Sequence, residues 1–300
     1  MPIPKNVLIT GASGLLGSNL VRHYATKSNC TGWYRTNPIS FEGAKTEQME
    51  LTEQPSVAAA LQRIKPEVII HCASASDVDW NENHPTLSKA INEDVPKFLA
   101  QKSMELGIKF IFISSPFIFD GTAGNYREVD PPGPLNTYAR GKLNAEQYIL
   151  ECNPTSLIIR ACFYGYSPSG NHSLLEWIIG RANRNQNLPG FTDSYFSPIN
   201  VYDLAEDLDK AISAKAKGIL HLGSIDTVSK YKFIQMVLHS YRHKADLLKP
   251  TSVDEVGLSV SRPRDTSLNI SLSQEILGKH AHTVINGLNR FAAKPNPFAR

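Results

Sequence analysis

The sequence predicts an α/β fold, in which a doubly wound parallel sheet carries a smaller C-terminal lobe. Apolar runs of strand length alternate with helical patterns through the first half of the chain. Apolar and polar residues do not alternate regularly in the run at 67–72, as they would in a strand with one solvent-exposed face. The run is therefore predicted to be a buried parallel strand. The pattern loosens after Arg160. Repeated βα units need right-handed crossovers, which place helices on both faces of one sheet.

The elements of the first half follow from apolar spacing and breaker residues. The predicted strands cover 7–9, 30–34, 46–51, 67–72, 108–114 and 155–160. Helices are expected after the first glycine-rich turn, at 56–64, at about 86–106 and after Pro134. Pro96 lies within the third of these helices and should break or kink it, and Gly107 should cap its end.

The second half is predicted to be a lobe rich in loops. A strand near 218–223 is expected to return to the central sheet, and Asp203 is expected to cap the helix before it. Further helices are predicted at 173–182, 229–239, 271–278 and 282–292. We therefore expect one unit over 1–162, completed by the return strand, and a second over 163–300.

Composition excludes several classes of function. The chain has 300 residues and a formal charge of +3, with no run of five basic residues, so neither nucleic acid nor a membrane surface is expected as a partner. The N-terminus lacks the pattern of a signal peptide and no apolar stretch reaches spanning length, so we expect a cytoplasmic protein. The four cysteines are widely spaced and are expected to be reduced.

A glycine-rich turn joins the first strand to the first helix. Gly11, Gly14 and Gly17 would let the backbone approach a pyrophosphate, which the free N–H groups of the helix N-terminus would bind. A tight turn without a ligand is the alternative. The position between strand and helix favours a dinucleotide site. We include the turn residues Ser13, Leu15 and Leu16 in this predicted site.

The end of the second strand predicts which dinucleotide binds. An acid there would accept hydrogen bonds from the ribose 2′-hydroxyl of NAD, and 33–36 contains none. Arg35 instead offers a planar guanidinium that suits a 2′-phosphate, so NADPH is the expected cofactor, although an ordinary surface arginine is the alternative. Leu51, at the end of the third strand, is predicted to contact the same cofactor.

Tyr138 and Lys142 stand four residues apart, so a helix would place them on one face. An ammonium beside a phenol stabilises the phenolate, and a positioned tyrosine can then protonate the alkoxide formed when hydride reduces a carbonyl. We predict Tyr138 as the proton donor and Lys142 as the group that lowers its pKa and holds the nicotinamide ribose. A serine that binds the carbonyl oxygen is expected at Ser114 or Ser115, where a strand ends.

These residues resemble the extended short-chain dehydrogenase/reductase family, in particular the dTDP-4-dehydrorhamnose reductase group and its relative, the regulatory β-subunit of methionine adenosyltransferase. The segment 113–121, ISSPFIFDG, is similar to the group's ISTDYVFDG, and 134–146 is similar to its PxNxYGx[ST]KxxxE motif. Further matches lie at 76–79 and 262–269. The resemblance implies a Rossmann fold and assigns the catalytic hydroxyl to Ser115, leaving Ser114 beside the cofactor.

The resemblance also implies that Cys72, Ala73 and Ser74 line the cofactor and that 161–164, with Ala161 and Phe163, border the nicotinamide and the substrate. A nucleotide-linked 4-keto-6-deoxy sugar is the implied substrate, bound mainly by 163–300, and a homodimer is left open. Pro116 and Phe117 replace the reductases' Asp-Tyr, and Phe163 replaces a tryptophan of the rhamnose enzyme. An epimerase or dehydratase using NAD, and a regulatory subunit that binds NADP, are the alternatives.

Other polar residues carry weaker predictions. The sequence leaves open whether Arg262 and Arg264 bind a substrate diphosphate or form surface salt bridges. For Asp77 and Asp79 we favour helix capping or a loop role over paired acid/base chemistry. The histidines do not cluster with acids at ligand spacing, so no metal site is predicted.

Overall fold

A computed structural model describes residues 4–278, 282–294 and 296–299. Its strands are β1 (Asn6–Thr10), β2 (Asn29–Tyr34), β3 (Ala44–Gln48), β4 (Val68–His71), β5 (Lys109–Ser114), β6 (Leu157–Arg160), β7 (Cys162–Tyr164), β8 (Leu188–Phe191), β9 (Tyr195–Phe196), β10 (Pro198–Asn200), β11 (Gly218–His221), β12 (Val228–Ser229), β13 (Leu248–Thr251) and β14 (Asp265–Thr266). The helices are α1 (Leu15–Ala25), α2 (Gln54–Ile64), α3 (Val78–Asn83), α4 (Pro85–Lys89), α5 (Val95–Glu105), α6 (Thr137–Cys152), α7 (Leu174–Asn183), α8 (Val201–Ser213), α9 (Lys230–Ser240), α10 (Val253–Val256), α11 (Ser271–Leu277) and α12 (Val284–Ala292).

The central sheet confirms the predicted doubly wound fold. In the described part of the chain it has seven strands in the order β11-β6-β5-β4-β1-β2-β3. All of its strand pairs are parallel, and β11 returns to the edge beside β6 as expected. The strand order reverses between β1 and β4, so a crevice opens there at the carboxyl ends of the strands.

Alternating side chains on the strands build two cores, one on each face of the sheet. Ile9 and Ile70 point into the core that also contains α1 and α8, whereas Leu8 and Ile69 point into the core formed with α2, α5 and α6. Every residue of β4 is buried, which confirms that the sheet has no wet face at its centre. The two layers of helices therefore cover both faces of the sheet.

The predicted break near Pro96 is confirmed, because a π-helical turn at Ala90–Asp94 interrupts the helix directly before α5, whose second residue is Pro96. Another local prediction is corrected. Helix α8 is capped by Asn200, whose side chain accepts hydrogen bonds from the backbone N–H groups of Tyr202 and Asp203. Asp203 is therefore inside the first turn rather than at the cap. Gly107 follows α5 with a φ of 66°, as a C-terminal cap requires.

The later segment contains short strands that the sequence did not predict. Strand β7 pairs with β10, β8 pairs with β13, and β9 pairs with β12 and β14. The predicted division of the chain into units over 1–162 and 163–300 stays a prediction. Residues 1–3, 279–281, 295 and 300 of these units lie outside the described residues. The first of these segments belongs to the N-terminus on which the localisation prediction is based. No helix in the described ranges has both the length and the apolar character that crossing a membrane requires.

Candidate active site

Two adjoining cavities open at the reversal of the strand order. Their volumes are about 670 Å³ and 460 Å³, and they share wall residues that include Gly11, Gly14 and Cys72, so together they form one elongated crevice. Every residue predicted for the site lines one or both of the cavities, namely Gly11, Ser13, Gly14, Leu15, Leu16, Gly17, Arg35, Leu51, Cys72, Ala73, Ser74, Ser114, Ser115, Tyr138, Lys142, Ala161 and Phe163. The fold thus brings together residues from distant parts of the chain.

The glycine turn lines both cavities through Gly11 and Gly14. Gly11 has a φ of 69°, and a Cβ atom there would lie 2.8 Å from the backbone nitrogen of Ala73. A Cβ atom at Gly17 would lie 2.1 Å from the Gly11 carbonyl oxygen. Helix α1 begins at Leu15 after Gly14, without a side-chain cap, so its first N–H groups remain available to an anion. This arrangement fits the diphosphate of a dinucleotide.

Arg35 lies just after β2, on the wall of the smaller cavity, with an exposed side chain. Within 4–278, 282–294 and 296–299 it forms no salt bridge, so its guanidinium is available to a ligand. Glu50 lines the same cavity, but its carboxylate accepts hydrogen bonds from the Thr52 hydroxyl and backbone N–H, at 2.8 Å and 3.2 Å. The smaller cavity therefore offers a free cation beside an acid that is already engaged.

The three predicted catalytic side chains meet in the larger cavity. Asn136 caps α6 by accepting a hydrogen bond from the Ala139 N–H, and this starts the helix that presents Tyr138 and Lys142 on one face. The Lys142 Nζ donates to the carbonyl oxygen of Ile113 at 3.0 Å and lies 6.0 Å from the centre of the Tyr138 ring. The Ser115 side chain lines the same cavity as Tyr138 and acts to lower the pKa of its phenol. A carbonyl oxygen placed beside Ser115 and Tyr138 would thus meet two hydroxyl groups.

Burial is the largest cause of the pKa shifts of Tyr138 and Lys142. It raises the pKa of Tyr138 to about 12, against which the Ser115 hydrogen bond acts. It also lowers the pKa of Lys142 to about 8, so most molecules keep this ammonium charged at neutral pH. Loss of hydration is the largest cause of the raised tyrosine pKa, and the Lys142 ammonium is bound to the Ile113 carbonyl. That Lys142 brings the tyrosine pKa down stays a prediction.

The structure separates the roles of the two serines. Ser114 is 3% exposed, and its hydroxyl donates to the Glu146 carboxylate, which also pairs with Arg160 at 2.6 Å. Ser115 follows β5, and its hydroxyl oxygen accepts a hydrogen bond from the Phe117 N–H at 3.2 Å. Ser114 thus joins a buried polar network, whereas Ser115 lines the cavity together with Tyr138.

The wall next to Tyr138 is apolar. Phe117 contacts the Tyr138 ring edge-on, with ring centres 6.3 Å apart, and Pro116 and Phe163 line the same cavity. None of these three side chains offers a hydrogen bond to a ligand. Recognition of substrate hydroxyls would therefore rest on other groups around the cavity.

The residues weighed for other roles are engaged in structural contacts. Asp77 caps α3 by accepting from the Trp80 N–H at 2.8 Å. Asp79 pairs with Arg262 at 2.6 Å, and Arg264 pairs with Asp193 at 3.0 Å and with a second acid. These contacts favour the salt-bridge interpretation of both arginines. Among the described residues, no three His, Cys, Asp or Glu side chains form a group able to hold a metal ion.

Some residues of the crevice were missed by the sequence analysis. Glu50 directly precedes Leu51, so extending the strand-end argument by one residue would have found it. Asn171 and His172 lie in the loop before α7 and line the larger cavity, and His172 lines the smaller one as well. No spacing or motif in that loop indicated such a position. Their placement depends on how the later segment packs over the sheet.

The fold closely matches solved reductase structures. A dTDP-4-dehydrorhamnose reductase from Bacillus anthracis, solved in complex with NADP, superposes with a TM-score of 0.85 at 25% identity and covers 97% of this chain and 99% of its own. A hypothetical dTDP-4-dehydrorhamnose reductase from Sulfolobus tokodaii gives 0.83 at 27% identity, covering 94% and 98%.

Two curated relatives have different biological roles. A probable low-salt glycan biosynthesis reductase from Haloferax volcanii is 29% identical over 276 residues, or 90% of this chain and 91% of its own. The methionine adenosyltransferase 2 subunit beta of Bos taurus is 29% identical over 280 residues, covering 89% and 81%. The family model described as the RmlD substrate binding domain matches residues 5–296. The chain belongs to this family, within the extended short-chain dehydrogenases/reductases.

Proposed function

We propose that this protein is an NADPH-dependent reductase of a nucleotide-activated 4-keto-6-deoxy sugar. The observation that carries the proposal is the meeting of Ser115, Tyr138 and Lys142 in the same crevice as the glycine turn. The relatives support it, because three of the four reported above are named as reductases and one of these reductase structures contains NADP. We assign cofactor binding mainly to 1–162 and substrate binding mainly to 163–300.

The proposed chemistry is reduction of a ketone to an alcohol. Bound NADPH supplies a hydride to the carbonyl carbon, and the carbonyl oxygen takes up a proton. Ser115 would donate a hydrogen bond to that oxygen, and Tyr138 would give its phenolic proton to it. Lys142, charged at neutral pH, would hold the nicotinamide ribose and stabilise the tyrosine as it loses its proton. A buried phenol with a raised pKa keeps its proton until a more basic oxygen develops beside it.

The apolar wall bears on which sugar is reduced. Phe117 stands beside Tyr138 and cannot hydrogen-bond to a sugar hydroxyl. Polar contacts discriminate among substrates more steeply than apolar walls do. We therefore expect a substrate whose edge facing Phe117 is apolar, such as the 6-deoxy end of the sugar ring.

The direct test is NADPH oxidation with a panel of nucleotide-linked 4-keto-6-deoxy sugars, followed by the loss of absorbance at the reduced nicotinamide. We expect turnover with at least one member of the panel. Stoichiometric NAD in the purified protein, together with interconversion of sugars without net oxidation of NADPH, would favour an epimerase or dehydratase. Binding of NADPH without turnover on any member would favour a regulatory subunit. The 29% identity to the methionine adenosyltransferase relative is the reason to include this outcome.

Arg35→Ala is expected to raise the KM for NADPH about tenfold and to leave the KM for NADH nearly unchanged. The reason is that a charge-assisted hydrogen bond contributes about 1.5–3 kcal/mol, and 1.4 kcal/mol corresponds to a factor of ten. Steady-state kinetics with both cofactors measure this. Arg184→Ala, an exposed position at the end of α7, serves as the control. Equal use of the two cofactors by the wild type, unaltered in Arg35→Ala, would remove Arg35 from the site.

A further inference from the structure

The loop before α7 places one histidine against both halves of the crevice. The residues that line both cavities are Gly11, Gly14, Cys72, Ser74, Ser76, Asp77 and His172. Among these, His172 alone can carry a positive charge, and Asp77 is the one acid. The shared residues mark the middle of the crevice and include Gly14, the N-cap of α1, where the helix has no side-chain cap.

We propose that His172 and the glycine turn together bind the pyrophosphate of the dinucleotide. The inference rests on the proposed function, because it takes NADPH as the ligand. Backbone N–H groups after Gly14 would bind one side of the diphosphate, and the imidazole would donate an N–H to the other. The His172 side chain is exposed at the crevice, so it can reach a ligand there without displacing a packed core.

The backbone that carries His172 is held in place by a buried carboxylate. Glu176 is 6% exposed and accepts hydrogen bonds from the N–H groups of Ser167, His172 and Ser173, at 2.5 Å, 2.8 Å and 3.1 Å. The Ser173 hydroxyl accepts a hydrogen bond from the Glu176 N–H and completes a capping box at the start of α7. The turn before α7 is thus ordered before any ligand arrives, which lowers the entropic cost of using its histidine.

A donor is needed at this point for electrostatic reasons. The Asp77 carboxylate lies on the shared wall, and it would repel a diphosphate in the same part of the crevice. The Trp80 N–H offsets part of that charge through the α3 cap. Ser74 and Ser76 supply hydroxyl groups but no charge. His172 lines the same two cavities as this acid and offers the compensating donor.

Calorimetric titration of the purified full chain with NADPH and with 2′-AMP tests the assignment. The second ligand has the 2′-phosphate and the adenosine but no pyrophosphate. We expect His172→Ala to weaken NADPH binding about tenfold and to leave 2′-AMP binding unchanged, because only the diphosphate contact is lost. His172→Gln, which keeps an N–H donor, should recover part of the affinity. His239→Ala, at the exposed end of α9, should bind both ligands as the wild type does.

Several outcomes would overturn the assignment. One is a His172→Ala protein that binds NADPH with wild-type affinity. Another is an equal weakening for NADPH and 2′-AMP, because it would mean that the substitution disturbs the adenosine end or the loop as a whole. Failure of the wild type itself to bind NADPH would instead overturn the proposed function, so the two failures are distinguishable.

Discussion

Tyr138→Phe is expected to lower kcat for ketone reduction by about 10²–10⁴, the usual contribution of a positioned proton donor. The phenyl ring keeps the edge-on contact with Phe117 and the packing near Lys142, so cofactor binding should be preserved. The loss arises because no remaining hydroxyl at this position can protonate the oxygen as hydride arrives. Single-turnover oxidation of bound NADPH measures the chemical step, and titration of NADPH measures binding.

Tyr148→Phe is the matched control for this prediction. Tyr148 lies on the same helix, α6, but is 38% exposed and packs under the Lys97 ammonium. It should retain wild-type turnover. Tyr138→Phe with undiminished turnover and normal NADPH affinity would contradict the assignment of the proton donor, whatever the substrate proves to be.

Glu146→Gln is expected to reduce the free energy of unfolding by about 3–5 kcal/mol, because it leaves a buried arginine without its counter-charge. Arg160 is 3% exposed, and its guanidinium makes two-pronged contacts with the Glu146 carboxylate at 2.6–3.1 Å. The pair joins α6 to β6, and the Ser114 hydroxyl attaches β5 to it. Urea-induced unfolding followed by circular dichroism measures the change.

Two comparisons separate the buried pair from ordinary surface charge. Glu105→Gln removes the partner of Lys102 in a pair on the exposed face of α5, and it should leave the urea midpoint nearly unchanged. The double substitution of Glu146 and Arg160 by methionine should be less destabilising than Glu146→Gln, since no unpaired charge remains buried. A Glu146→Gln protein as stable as Glu105→Gln would show that the buried arginine finds other compensation.

The sequence by itself determined the order and type of the main elements. A short apolar run such as 67–72 indicates a strand buried on both faces, as in a covered parallel sheet. The glycines at 11, 14 and 17 indicate that backbone segments approach one another closely in this turn. Spacing along one helix was also sufficient to place Tyr138 and Lys142 on a common face. These features depend on neighbours in the chain, so local patterns carry them.

Only the tertiary structure decided what depends on contacts between distant segments. The hydroxyl of Ser114 is taken by Glu146, 32 residues away, which leaves Ser115 for the crevice. Burial raises the Tyr138 pKa although a lysine is close in sequence, because hydration is lost to walls contributed by several elements. His172 lines the cofactor crevice because of where α7 packs in the fold, and no local sequence pattern predicts that packing. The distance between two side chains and the loss of hydration around them are properties of the folded chain, so a local sequence pattern does not contain them.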